Sequence, residues 1–124
     1  LAVAASEIPI NLKVFETGEA AVEYLHGSVI SDLGRTSRVA LVLLDFNTPG
    51  MSGDLVVERL RRDDKTRLVP VAILSGSARE GDLRRAYEKG ANAYLQKPVD
   101  FLEFSQLIQS TIRFWCGSNR SLLR

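Results

Sequence analysis

Apolar and polar positions along the chain alternate between two periods, one typical of strands and one typical of helices. In residues 10–15, INLKVF, apolar and polar residues alternate one by one, which predicts a strand with one wet face at a sheet edge. Residues 92–96, NAYLQ, predict a last strand, and the runs 39–45 and 69–75 are almost wholly apolar. Such runs are typical of parallel strands that are buried on both faces.

Helical periodicity begins after the first predicted strand. Residues 18–27, GEAAVEYLHG, carry apolar residues at helical spacing and predict a short amphipathic helix. Thr17 is placed to cap its amino end, and Gly27 to end it in the left-handed conformation. Residues 28–38 show no periodicity and predict a loop.

Three further helices follow the later strands. Residues 54–62 and 80–89 predict two of them, the second ended by Gly90. Asp100 and Glu103 have the spacing of a capping box and open the longest helical pattern. Its apolar stripe contains Phe104, Leu107, Ile108, Thr111, Ile112 and Trp115. Alternating strands and helices predict an open parallel α/β sheet with right-handed crossovers.

Composition limits the classes of function. A chain of 124 residues predicts a single domain over 1–124. With 16 basic and 15 acidic side chains, the formal charge of +1 provides no field that would attract nucleic acid or an anionic membrane. Cys116 is the single cysteine, which excludes an internal disulfide and fits a cytoplasmic location. The apolar runs are shorter than the ~20 residues of a membrane span.

Polar side chains stand where three predicted strands end. Asp45 closes one strand, Ser75 closes the next, and Lys97 follows the last. In parallel sheets, ligands bind at the carboxyl ends of the strands. Taken alone, each residue could instead have only a structural role. Asp45 and Ser75 could cap helices, and Lys97 could be a solvated turn residue. Their recurrence at equivalent points of consecutive strand-loop-helix units favours a shared site.

The stretches around these residues resemble a known family. LVLLDFNTPGMSG, VAILSGSA and ANAYLQKPVD look like the three signature stretches of response regulator receiver domains, the phosphoacceptor modules of two-component signalling. The resemblance runs from about residue 9 to Trp115, with 117–124 as a tail. GANAYLQKPVDFLEF also resembles stand-alone receivers that are paired with bacterial phytochrome kinases. The resemblance implies a flavodoxin-like, CheY-like doubly wound parallel sheet of strand order 2-1-3-4-5.

Roles for single residues also follow from the resemblance. Asp45 matches the aspartate that takes a phosphoryl group from a sensor histidine kinase. Asn47 matches the residue whose backbone carbonyl binds Mg²⁺ together with that aspartate. Ser75 and Lys97 match the switch hydroxyl and the lysine that contact the aspartyl phosphate, and Tyr94 matches the aromatic residue that reorients with the switch. We expect only self-phosphorylation and self-dephosphorylation, with no further enzymatic activity.

We expect structural roles for three further residues. The resemblance implies a cis peptide bond before Pro98. Pro49 and Gly53 are expected to shape the loop after Asp45 so that backbone amides can face a phosphate.

The chain also departs from the family pattern. Receiver domains open with a central strand followed by two acidic residues that bind the magnesium, and neither is found in this sequence. We therefore expect an N-terminally incomplete receiver that lacks its first strand. The metal site cannot be completed from the residues of this chain.

Two other functions remain open at this point. A degenerate receiver could act as a docking or dimerisation module without taking phosphate. A phosphatase of the haloacid dehalogenase type would need a second aspartate two residues after the first, where this chain has Asn47. Output is expected through protein contact, either with a downstream protein or in a homodimer.

Overall fold

The structure is a computed structural model that describes residues 14–31, 39–47 and 49–119; for residues 27–31 it describes the backbone alone. Within these ranges the chain alternates strands and helices. The three strands are β1 (Val42–Asp45), β2 (Val71–Ser75) and β3 (Ala93–Gln96). The helices are α1 (Gly18–Ser31), α2 (Gly53–Arg62), α3 (Glu80–Lys89) and α4 (Phe101–Arg113), the last followed by a π-helical turn, Phe114–Ser118.

The strands form one parallel sheet in the order β1-β2-β3. Leu44, Ile73 and Tyr94 lie side by side in its register, and Asp45 pairs with Leu74 in the next row. This order agrees with the last three positions of the predicted order 2-1-3-4-5. The predicted α/β class with a doubly wound parallel sheet is confirmed.

Helices cover both faces of the sheet. Leu44 and Ile73 pack with apolar side chains of α1, α2 and α3 on one face. Leu74 packs with Ile108 and Ile112 of α4 on the other. Burial of each large aliphatic side chain contributes about 1.5–3 kcal/mol, so both layers stabilise the sheet. Successive residues of a strand point to opposite faces of the sheet. Because helices cover both faces, the strands carry apolar residues at consecutive positions.

The predicted helix ends are largely confirmed. Thr17 Oγ1 accepts from the Ala20 amide at 3.1 Å, and Asp100 accepts from the Glu103 amide at 3.0 Å. Gly90 ends α3 with a φ of 114°. Gly27 was wrongly predicted as an end, because α1 continues to Ser31. A glycine lowers helix propensity by about 1 kcal/mol but does not by itself stop a helix.

Two strand predictions differ from the structure. The strand predicted at 39–45 begins at Val42, whose amide donates to the Pro70 carbonyl. Because Pro70 has no N–H, the ladder cannot extend past it in the regular pattern. The edge strand predicted at 10–15 lies outside the described residues except for Val14 and Phe15, which are not in a strand.

Arg61 ties α2 to the loops that enter β2 and β3. Its guanidinium donates to the carbonyls of Gly90 at 3.0 Å, Val69 at 2.7 Å and Arg67 at 3.1 Å, and to Asn92 Oδ1 at 2.9 Å. Burial lowers the pKa of this guanidinium, which nevertheless stays protonated. Arg61 therefore satisfies several carbonyls at the amino-terminal edge of the sheet.

We predict that Arg61→Met lowers the free energy of unfolding by about 2 kcal/mol or more, because charge-assisted hydrogen bonds are lost while the aliphatic stem is kept. The matched control is Arg62→Met on the same helix, whose side chain is 73% exposed and meets Glu58 at 3.6 Å. That change should cost less than about 1 kcal/mol. Urea denaturation of both variants measures the difference, and equal losses would contradict the role of Arg61.

Candidate functional site

The carboxyl ends of the three strands meet at one edge of the sheet. Asp45 and Ser75 are the last residues of β1 and β2, and Lys97 follows β3 directly after Gln96. The backbone ladder continues past the strands, since the Lys97 amide donates to the Ser75 carbonyl at 2.7 Å. The three residues predicted from the sequence are therefore positioned by neighbouring strands.

Asp45 and Lys97 form an ion pair at this edge. Lys97 Nζ lies 2.6 Å from Asp45 Oδ1, with side chains that are 39% and 24% exposed. Asp45 Oδ1 itself is inaccessible to solvent, and no described donor meets it with hydrogen-bond geometry. The contact is therefore a charge contact. The carboxylate is partly accessible, with an ammonium group already beside it.

The loop after Asp45 turns sharply into α2. The Gly53 amide donates to the Phe46 carbonyl at 2.7 Å, and a Cβ at Gly53 would stand 2.8 Å from the Asp45 carbonyl oxygen. Only glycine permits this approach without movement of the backbone. Asn47 and Pro49 are exposed in the same loop. Gly53 therefore brings the start of α2 against the backbone of Asp45.

Ser75 is 3% exposed at the end of β2. Its Oγ accepts from the Ser77 amide at 3.0 Å, a turn in which a serine hydroxyl binds the backbone two residues later. The hydroxyl is thus buried, and one of its lone pairs is occupied by a backbone donor.

Tyr94 is half-buried on β3 and reaches the loop after Ser75. Its hydroxyl donates to the Ser77 carbonyl at 2.9 Å, and its ring meets the Phe46 ring edge-on at 6.2 Å between centroids. The tyrosine therefore contacts both loops, one after β1 and one after β2.

Charged residues behind these loops were not predicted from the sequence. Ser77 Oγ donates to Asp82 Oδ2 at 2.7 Å, and Arg85 Nη2 donates to Asp82 Oδ1 at 2.9 Å. Arg85 also lies 3.9 Å from Asp54 Oδ2 and has its guanidinium carbon 5.4 Å from the Phe46 ring centroid. The only available signal was the Ser75-x-Ser77 spacing, which is typical of a serine turn.

The prediction of a cis peptide bond before Pro98 is wrong, because every peptide bond among the described residues is trans. The trans form is favoured by about 0.5–1 kcal/mol before proline. Nothing in the residues around Pro98 independently required the cis form, which rested on the resemblance alone.

Magnesium prefers oxygen ligands in octahedral geometry. Asp45 provides a carboxylate at this edge, and Asn47 provides a backbone carbonyl two residues later. Over 14–31, 39–47 and 49–119, no group of three or more acidic, histidine or cysteine side chains could hold a metal ion. Within the described part of the chain, these donors suit the cation in kind but are too few to form its site.

No helix in the described part of the chain is long and apolar enough to cross a membrane.

The pKa of the Asp82 carboxyl lies below its ordinary value of 3.8, first because the Ser77 hydroxyl donates to it and then because Arg79 and Arg85 are close. A carboxylate whose pKa is lowered on folding stabilises the protein above pH 3.8, and this contribution is lost as the pH falls through the lowered value. We predict that Asp82→Asn weakens the acid dependence of the unfolding free energy in this window.

Asp64→Asn is the matched control, because Asp64 is exposed and meets only Arg67 at 3.6 Å among its described ion pairs. Denaturant titrations between pH 2 and pH 6 give the unfolding free energies. An Asp82→Asn profile that coincides with those of the wild type and the control would refute the prediction.

Comparisons with known proteins show the family of this chain. The family model of the response regulator receiver domain matches residues 4–109. The probable methanogenesis regulatory protein FilR2 of Methanothrix harundinacea is 36% identical over 84% of this chain, which spans 65% of that protein's length. The polar-differentiation response regulator DivK of Brucella anthropi is 32% identical over 82% of this chain and 86% of its own.

Two solved structures are similar in fold. The phosphorylated cyanobacterial phytochrome response regulator RcpA superposes with a TM-score of 0.83 at 27% identity, covering 97% of this chain and 84% of its own. The Mn²⁺-bound form of response regulator Rcp1 gives 0.78 at 26% identity, covering 93% and 81%. With a family model matched over most of its length, this chain belongs to the response regulator receiver domains of two-component signalling.

Proposed function

We propose that Asp45 accepts a phosphoryl group from a phosphohistidine of a sensor histidine kinase. The observation that supports this most directly is the ammonium group of Lys97, 2.6 Å from Asp45 Oδ1 at the end of a buried strand. A carboxylate oxygen of Asp45 would attack phosphorus, the P–N bond would break, and the imidazole nitrogen would leave with the bonding electron pair. The product is an aspartyl phosphate.

The negative charges of the carboxylate and the phosphoryl group account for the position of the lysine beside the aspartate. A carboxylate that attacks a phosphoryl group approaches like charge, and two unit charges ~4 Å apart repel by about 4 kcal/mol at an effective dielectric near 20. A fixed cation at the same place offsets this repulsion without reorganisation during the reaction. Lys97 is held there by the backbone ladder between its amide and the Ser75 carbonyl.

Magnesium is part of the same proposal. The Mn²⁺-bound state of the related Rcp1 supports binding of a divalent cation, with the Asp45 carboxylate and the Asn47 carbonyl as this chain's ligands. Such a cation would neutralise charge on the phosphoryl oxygens. The described residues hold too few ligands to assign any further step to it.

Ser75 and Tyr94 would transmit the effect of phosphorylation to the surface of the protein. A phosphoryl group adds strong acceptor oxygens, and the buried Ser75 hydroxyl can donate to one of them. Tyr94 is linked to the same loop through the Ser77 carbonyl, so movement of that loop changes what the tyrosine contacts. Phosphorylation can shift this loop from one conformation to another only if the two conformations differ in these contacts.

The proposed partners are a sensor histidine kinase and either a downstream protein or a second copy of this chain, in the cytoplasm. The similarity to the phytochrome response regulator RcpA supports a kinase of the phytochrome type. Activity is limited to phosphorylation and dephosphorylation of its own aspartate.

We predict that incubation of the full-length protein with phosphoramidate and Mg²⁺ adds one phosphoryl group to the wild type and none to Asp45→Asn, because the amide is not a nucleophile of this kind. Intact mass spectrometry measures the addition. Hydroxylamine should remove the group, since it cleaves acyl phosphates.

The matched control is Asp64→Asn, which replaces an exposed carboxylate away from the strand ends and should be phosphorylated as the wild type is. Equal labelling of the wild type and Asp45→Asn would contradict the proposed acceptor. A folded wild type that takes no phosphoryl group would instead favour the docking module.

We predict that Lys97→Gln slows phosphorylation by about 10-fold or more, because the cation beside the attacking oxygen is lost. Lys65→Gln is the control, since Lys65 is an exposed lysine in the loop after α2 and should leave the rate unchanged. Time courses with phosphoramidate measure both rates. An unchanged rate in Lys97→Gln would show that the ion pair has no part in the transfer.

A further inference from the structure

Ser77 connects three parts of the candidate site. Its amide donates to Ser75 Oγ at 3.0 Å, and its carbonyl accepts from the Tyr94 hydroxyl at 2.9 Å. Its own hydroxyl donates to Asp82 Oδ2 at 2.7 Å and accepts from the Arg79 amide at 3.1 Å. A residue with all of these bonds fixes the loop between β2 and α3.

Asp82 is the anchor of this arrangement. It lies in the first turn of α3 with a side chain that is 10% exposed. Arg85 Nη2 holds its Oδ1 at 2.9 Å, and Arg79 Nε lies 3.5 Å from its Oδ2. Because Arg85 and Arg79 hold the Asp82 carboxylate in place, it offers Ser77 a fixed acceptor.

Arg85 extends the arrangement to the loop after Asp45. Its Nε lies 3.9 Å from Asp54 Oδ2, and Asp54 Oδ1 accepts from Ser52 Oγ at 2.7 Å. Its guanidinium lies over the ring of Phe46, the residue that follows Asp45. Arg85 thus links Asp82 of α3 to the first turn of α2 and to the loop after Asp45.

The Ser77 amide decides what the Ser75 hydroxyl can do. A hydroxyl has one donor hydrogen and two acceptor lone pairs. With one lone pair occupied by the Ser77 amide, the hydrogen of Ser75 is directed away from that amide and is available to an oxygen acceptor. The buried position of Ser75 limits competition from solvent.

We propose that Asp82 is a positioning residue for phosphoryl transfer to Asp45: it anchors Ser77, which orients the Ser75 hydroxyl to donate to a phosphoryl oxygen. The inference rests on the proposed phosphorylation of Asp45 and adds residues that the family resemblance did not supply. Asp82 acts through two serines and touches no reacting atom.

The test begins with single variants. Asp82→Ala and Ser77→Ala should each slow phosphorylation by phosphoramidate about 2- to 10-fold, the effect of one weakened hydrogen bond. Ser77→Thr keeps the hydroxyl and should restore the rate. Glu80→Ala is the control, because Glu80 is an exposed acid in the same helical turn, paired with Arg84 at 3.8 Å.

Double variants distinguish positioning from a loss of stability. If Asp82 acts through Ser77, Asp82→Ala should have little further effect on the rate in a Ser77→Ala or Ser75→Ala background. A structural role alone would lower the unfolding free energy in every background and leave the rate of the folded fraction unchanged. Urea denaturation and Ser77 amide hydrogen exchange accompany each rate, and exchange should quicken in Asp82→Ala.

The outcomes separate the two proposals. A wild type that is phosphorylated, with single-variant rates equal to that of Glu80→Ala or fully additive effects, overturns the role of Asp82 and leaves Asp45 as the acceptor. A folded wild type without phosphorylation overturns both. Slower, non-additive rates with rescue by Ser77→Thr support the inference.

Discussion

The register of the parallel sheet is the constraint on which the site depends. Asp45 pairs with Leu74, and Ser75 pairs with Gln96, so the ends of three strands reach one edge together. A shift by one residue would turn Asp45 to the opposite face and remove it from Lys97. Packing on both faces opposes that shift, because Leu44 and Ile73 fit against side chains of α1, α2 and α3, and Leu74 fits against Ile108 and Ile112 of α4. Core packing therefore holds the 2.6 Å ion pair in place.

Much of the fold could be predicted from the sequence, because its signals are local. The apolar runs around Asp45 and Ser75, the glycine that ends α3 and the Asp100 cap depend on nearby residues, and the structure agrees with them. The same holds for the strand-end placement of Asp45 and Lys97. Gly27 is an exception, since whether a helix passes through a glycine depends on its surroundings.

The interactions missed by sequence analysis join residues that are distant along the chain. Arg61 bonds Gly90 and Asn92, about 30 positions later, and Arg85 approaches Asp54 across two helices. An arginine on a helix surface gives no sign of which carbonyls it will meet. The Ser75-x-Ser77 spacing after β2 is typical of a serine turn, but the carboxylate that anchors Ser77 follows from the packing of α3.

The two edges of the sheet differ in how firmly they are held, and this difference suits a switch. At the amino-terminal edge, the half-buried guanidinium of Arg61 donates to three backbone carbonyls, so separation there would leave charged and polar groups unpaired. At the carboxyl-terminal edge, the loop after Ser75 is held through serine hydroxyls and one tyrosine hydroxyl, which are neutral groups that can exchange hydrogen-bond partners. A new phosphoryl group at Asp45 would compete for the second set of bonds and leave the first intact.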